Sequence, residues 1–202
     1  MRLACLALAL AGCSMIQPST AVVQPASNWR TVATKEDRTR LRDWRTAFTS
    51  ALTAARASGH SSDIAKEGAL LEPDSAIGGP IPNGTYQCRV IKLGAKSEGM
   101  LDYVAYPYFR CVVGQKGPLQ SFAKVNGSQR QVGLVFPNDP LRTVFLGTLM
   151  LGDEGRAMEY GVDPARDVAG FVERVGPKRW RLVMPYPHFE SNIDVMELVP
   201  TG

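Results

Sequence analysis

From Thr85 to the C-terminus, apolar residues recur every second position in short runs separated by turn residues. Tyr86, Cys88 and Val90 alternate with polar neighbours, as do Phe109, Cys111 and Val113, then Val132, Leu134 and Phe136, then Trp180, Leu182 and Met184. A period of two places one set of side chains on one sheet face, so each run predicts a half-buried β-strand. Eight strands are expected: Thr85–Leu93, Val104–Val113, Leu119–Val125, Gln131–Phe136, Arg142–Leu151, Val168–Val175, Arg179–Met184 and Asn192–Val199. Pro107 interrupts the second, which predicts an edge or a bulge there because proline donates no ladder hydrogen bond. Asn126-Gly127-Ser128 and Gly176-Pro177-Lys178 read as tight turns.

Upstream the period is different. Leu41, Trp44, Phe48, Leu52 and Ala55 recur at three and four, which predicts one amphipathic helix from about Lys35 to Ala57. Thr34 is its N-cap, and Glu36 and Asp37 suit the dipole of the first turn. Gly59 ends it; a shorter helical stretch follows from Ser62 to Leu71, stopped by Pro73. Glycines and prolines from Gly78 to Gly84 then separate helices from strands.

Eight short strands with tight turns and no intervening helices predict an antiparallel meander that closes into a barrel, which removes exposed edges. A two-sheet β-sandwich is the alternative. A single domain over 29–202 is expected, with a helical segment at 29–75 and the barrel at 84–200. A chain of 202 residues is long enough for such a core.

Charge adds little. The formal net charge is +4, and the basic residues lie among carboxylates, as in Glu36-Asp37-Arg38-Thr39-Arg40. That balance reads as solvated helix surface, and nucleic acid is not expected as a partner.

The N-terminus is more informative. Arg2 and the short apolar run Leu3–Ala11 have the form of a secretory signal, too short to span a bilayer. The run ends in Leu10-Ala11-Gly12-Cys13, which resembles the bacterial lipoprotein cleavage box. The resemblance implies a signal peptide at 1–12, acylation of Cys13, and a Pro- and Gln-rich lipidated tether over 13–28. An ordinary signal peptide cut nearby is the alternative. Ser14 in place of aspartate implies an outer-membrane anchor facing the periplasm, with the membrane as a partner. Removing Cys5 and Cys13 from the four cysteines leaves Cys88 and Cys111, whose positions on their strands permit a disulfide in an oxidising compartment.

Longer stretches extend the comparison. Lys35–Trp44, Tyr86–Gly94, Tyr106–Cys111, Gly127–Arg130, Phe145–Thr148, Arg179–Val183 and Phe189–Pro200 together resemble a family of exported proteobacterial proteins, the domain of unknown function DUF4893. That family implies no activity, cofactor or catalytic residue. A looser likeness is to lipocalin-like barrels, in which Gly-X-Trp opens the first strand; here the residues are Gly84-Thr85-Tyr86.

Chemistry is sparse. His60 and His188 are the only histidines, neither at metal-ligand spacing, and no cofactor is expected. His188, Ser191 and Asp194 form the densest polar cluster. They are candidates for a hydrolase site, but neighbours on one strand end do not converge as a triad requires, and satisfaction of the backbone is the competing role. Glu173 with Arg179 and Arg181 reads as cross-strand pairing; an inward arginine would need Asp194 or Glu197, which makes Arg181 an anion-site candidate. Tyr86 completes the weak polar candidates. The expected role is a periplasm-facing lipoprotein that binds a protein or a small lipophilic ligand, or supports the envelope, without catalysis; an envelope hydrolase is the alternative.

Overall fold

The structure is a computed structural model and describes residues 27–202. The signal peptide at 1–12, Cys13 and nearly all of the tether lie outside the described residues.

The helical segment comprises α1 (Trp29–Val32), α2 (Lys35–Arg42), α3 (Trp44–Ala57), α4 (Ser61–Glu67) and a 3-10 turn (Gly68–Leu71). Thr34 caps α2 as expected, its hydroxyl accepting from the Asp37 N–H at 3.1 Å. The single helix expected over 35–57 is two helices, broken at Asp43. The break lets α2 lie against one part of the barrel wall and α3 against another, so Leu41 and the Ala47, Phe48, Ala51, Leu52, Ala55 stripe are all buried. A straight rod would lift one of these faces off a curved wall. The alanines of α3 admit close approach: a β-carbon at Gly94 would sit 3.0 Å from that of Ala51.

The strands are β1 (Gly84–Ala95), β2 (Tyr103–Ala105), β3 (Phe109–Lys116), β4 (Leu119–Lys124), β5 (Gln129–Phe136), β6 (Arg142–Leu151), β7 (Asp167–Gly176), β8 (Arg179–Pro185) and β9 (Ser191–Pro200). Neighbours pair antiparallel, and β9 pairs back onto β1 from Tyr86–Pro200 to Ala95–Ser191. That ladder closes an eight-stranded barrel with β2 as an extra short strand, and the sandwich alternative is overturned. The strand expected over Val104–Val113 is divided around Pro107. Ile91 lies opposite Ala105, and Cys88 opposite Phe109, so three steps on β1 face four on the other side. One extra residue is the bulge the proline requires.

Alternation sorts the side chains into two cores. Tyr86, Cys88, Phe122, Phe145, Trp180 and Met196 point into the barrel. Ile91, Leu93, Phe171, Val183 and Val195 point outward and are covered by the helices. The Cys88–Cys111 disulfide lies in the inner core, joining β1 to β3 with Cα atoms 5.9 Å apart. It runs diagonally, because Cys111 is opposite Tyr86.

Near the middle of the β5–β6 ladder, Gly133 faces Gly147. A β-carbon on either would strike the partner strand's backbone, and the Phe145 ring covers the space instead. One end of the barrel is closed by the 77–83 segment. Ile81 is buried in the inner core, Gln120 Nε2 donates to its carbonyl at 2.8 Å, and Tyr86 Oη donates to Pro82 O at 2.6 Å.

Candidate functional site

At the other end the inward alternation continues but its chemistry changes. On β1, Tyr86, Cys88 and Val90 are followed by Lys92; on β4, Phe122 is followed by Lys124. On β5 the inward residue beyond Gly133 is Gln131, and on β9 the one before Met196 is Asp194. The four converge on a chamber of about 130 Å³ that Gln129 and Glu190 help to line. A cavity of this volume is close to one that holds a single six-membered ring, about 150 Å³. A smaller recess of about 20 Å³, reaching His188 and Phe189, adjoins it and shares Lys92, Gln131 and Asp194.

Half of this chamber is internally paired. Lys92 Nζ lies 3.1 Å from Asp194 Oδ2 and 3.1 Å from Glu190 Oε2. Ser191 Oγ donates to Asp194 Oδ1 at 2.5 Å. Burial pulls the Lys92 ammonium down, but the Asp194 and Glu190 carboxylates more than offset this and hold it above the usual lysine range. Burial pushes Asp194 up against the pull of Lys92 and Ser191.

The other half is not paired. Lys124 is only 4% exposed, yet its ammonium is paired with no carboxylate among the described residues. Nζ donates to Gln129 O at 2.8 Å and sits 3.7 Å from the Phe109 ring centroid. Burial, reinforced by the positive charges of Arg130 and Lys92, pushes it down to about 8. Gln131 is equally buried, and its Oε1 has no hydrogen-bond partner among the described residues. Such groups cost about 1–3 kcal/mol each when left unpaired.

The residues singled out from the sequence are dispersed. Asp194 lines the chamber and Ser191 holds it in place. His188 sits at the adjoining recess, where Arg40 Nη2 donates to its Nε2 at 2.6 Å, with Glu36 3.7 Å away. An arginine cannot accept a proton, so that nitrogen is engaged as an acceptor. Ser191 bonds to Asp194 rather than to His188, and no hydrogen bond joins His188 to either among the described residues. Tyr86 is packed in the filled interior, edge-on to Trp180.

Arg181 is on the outer wall, not inside the barrel. It is fully buried beneath the helices and takes Glu173, not Asp194 or Glu197, as its partner, with Nε 2.7 Å from Oε2. Its other N–H groups donate to the carbonyls of Leu70 and Glu72, both at 2.8 Å, and of Ala69 and Pro73 at 3.2 and 3.1 Å. Arg181 thus caps the end of the 3-10 turn. Beside it, Glu197 lies 2.5 Å from both Arg89 and Arg179, and Glu67 pairs with Arg89. Burial raises Glu197, but these arginines outweigh it and hold the carboxyl below its usual range. These arginines hold helices to barrel and leave no open anion site. The pairing of Glu173 with Arg181 across β7 and β8 was expected; its burial was not.

Lys92, Lys124 and Gln131 were missed in the sequence, although each is a polar residue at an inward position of an otherwise apolar alternation. Among the described residues, no group of three His, Cys, Asp or Glu side chains is arranged to hold a metal ion.

Residues 29–198 match the model of a family described as a domain of unknown function (DUF4893), and the chain belongs to that family. The closed barrel is consistent with the looser lipocalin-like likeness. No curated protein and no solved structure matches the chain.

Proposed function

We propose that this DUF4893 protein is a non-catalytic binding protein of the bacterial envelope. In this reading it is anchored in the outer membrane through a lipid on Cys13, faces the periplasm, and holds a small polar ligand in the mouth of its barrel. The observation that carries the reading is the abrupt change along the barrel axis. The interior is packed with aromatic and aliphatic side chains, then turns polar at one level, where Lys124 and Gln131 retain unused hydrogen-bonding capacity. Evolution of a merely structural barrel has no need of a buried ammonium without a counter-charge.

Three further points support it. A lipophilic ligand in this chamber would leave both groups desolvated and unpaired, so the polar lining favours a hydrophilic one. The Cys88–Cys111 bond suits an exported protein, and Leu10-Ala11-Gly12-Cys13 supplies the anchor signal. Hydrolysis is disfavoured because Ser191 has Asp194 as its partner and His188 has Arg40.

The test has two parts. Cys13→Ala in the full-length chain should move the protein from the membrane fraction to the soluble periplasmic fraction. Side-chain ammonium resonances of Lys92 and Lys124 should shift when a polar metabolite extract is added. Retention of the variant in membranes would defeat the anchor, and unmoved resonances would defeat the site.

A further inference from the structure

We infer that the mouth chamber binds small organic acids carrying a single carboxylate, with the carboxylate on Lys124 Nζ and the Gln131 carboxamide beside it. This assignment rests on the reading of the chamber as a binding site and names its ligand class.

The argument begins with register. β4 and β5 pair Ala123 with Val132, which carries Lys124 opposite Gln131 on the same inward face. Directly opposed residues have β-carbons roughly 4.5–5.5 Å apart, so one short ligand reaches both. Both have unused donors. Lys124 has N–H donors beyond the one given to Gln129 O, and the Gln131 side chain makes no hydrogen bond among the described residues. A carboxylate can accept from both Lys124 Nζ and the unpartnered Gln131 Nε2. A neutral ligand such as a polyol leaves the ammonium without a counter-charge.

Charge then limits the acid. Lys92 is already neutralised by Asp194 and Glu190, so Lys124 is the one cation of the chamber lining with no acidic partner among the described residues. One negative charge matches it. A phosphate ester carries about −1.5 to −2, and the excess would face the Asp194 and Glu190 carboxylates across the chamber. Size limits it further: about 130 Å³ accommodates a molecule of the order of a single ring, not an oligomer.

The experiment titrates L-lactate, glycine, acetate and glycerol separately into the full-length chain and into its Lys124→Met, Lys124→Arg and Gln131→Leu variants. Side-chain resonances of Lys124 and Gln131 report the site, and calorimetry reports affinity. Lactate, glycine and acetate should each bind the unaltered chain, and glycerol should not. Lys124→Met should weaken lactate or glycine on the order of tenfold to a hundredfold, whereas Lys124→Arg, which keeps the charge and checks that the site still folds, should retain measurable binding. Gln131→Leu, which removes the second donor, should weaken lactate and acetate alike, by up to about tenfold.

Equal binding of glycerol and lactate, or indifference of lactate to Lys124→Met, would overturn the acid assignment while the chamber remained a binding site. Silence with all four probes would also overturn it; the underlying reading falls with it only if a polar metabolite extract is silent as well.

Discussion

Arg181 and Lys124 are both buried cations on strands of one barrel, and they are treated oppositely. On the outer face of β8, Arg181 has Glu173 and four backbone carbonyls around its guanidinium. On the inner face of β4, Lys124 has one carbonyl and an aromatic ring. The same holds for polar atoms lacking hydrogen bonds. On the outer wall Arg142 Nε and Glu173 Oε1 face each other at 3.1 Å, whereas Gln131 Oε1, on the inner face, has no hydrogen-bond partner among the described residues. Where the chain needs charge to hold helices to the wall, it completes the pairing. Beside the chamber the pairing is left incomplete, and it is on this contrast that the proposed binding role rests.

The contrast is broken most severely from the outer side. Glu173→Ala leaves Arg181 and Arg142 without their carboxylate and should cost about 3–5 kcal/mol of unfolding free energy in urea denaturation. The double replacement Glu173→Leu with Arg181→Met should recover much of that loss, because no charge is then stranded. If the single substitution cost less than the double one, the wall network would not be the satisfied system described.

The mouth should respond with the opposite sign. Lys124→Met removes a buried charge that lacks a counter-ion and should stabilise the chain by about 1–3 kcal/mol at neutral pH, read as a raised denaturation midpoint. A loss of stability would mean the ammonium is compensated by some group not recognised above.

This gain should also depend on pH. The folded Lys124 titrates at about 8, below its ordinary 10.5. Between those values the unfolded chain binds more protons than the folded one, so the unfolding free energy contributed by this group rises with pH across the window. The advantage of Lys124→Met over the unaltered chain is therefore full below pH 8 and disappears by about pH 10.5. A constant difference across that range would contradict the burial of a charged Lys124.

The smallest expected effect is that of Gln131→Leu. It exchanges an unpartnered carboxamide for an apolar group of similar volume and should shift stability by no more than about 1 kcal/mol in either direction, measured alongside Lys124→Met under the same denaturant series.

Much of this molecule is legible along the chain, and the reasons differ by element. β6 occurs at Arg142–Leu151 as the alternation predicts, and the other barrel strands differ from expectation mainly at their ends. Pairing of Cys88 with Cys111 follows from both cysteines holding inward positions of adjoining strands. The break at Asp43 is not legible: apolar spacing runs through it without a proline or glycine, and only the curved wall separates Leu41's contacts from those of α3. Arg181 illustrates a different limit. Alternation places Arg179, Arg181 and Val183 on one face of β8, but which face is turned outward and then covered by helices is settled elsewhere in the fold.

The sequence by itself determined the strands, their two faces, the turns between them and the cysteine pair, because each depends on a period of two or on a few adjacent residues. Only the tertiary structure decided that Lys92, Lys124, Gln131 and Asp194, far apart in the chain, share one level of one barrel. That level is fixed by how each strand is staggered against the next and by closure of β9 onto β1. Local periodicity records which way a side chain points, and carries no measure of its height along the barrel axis.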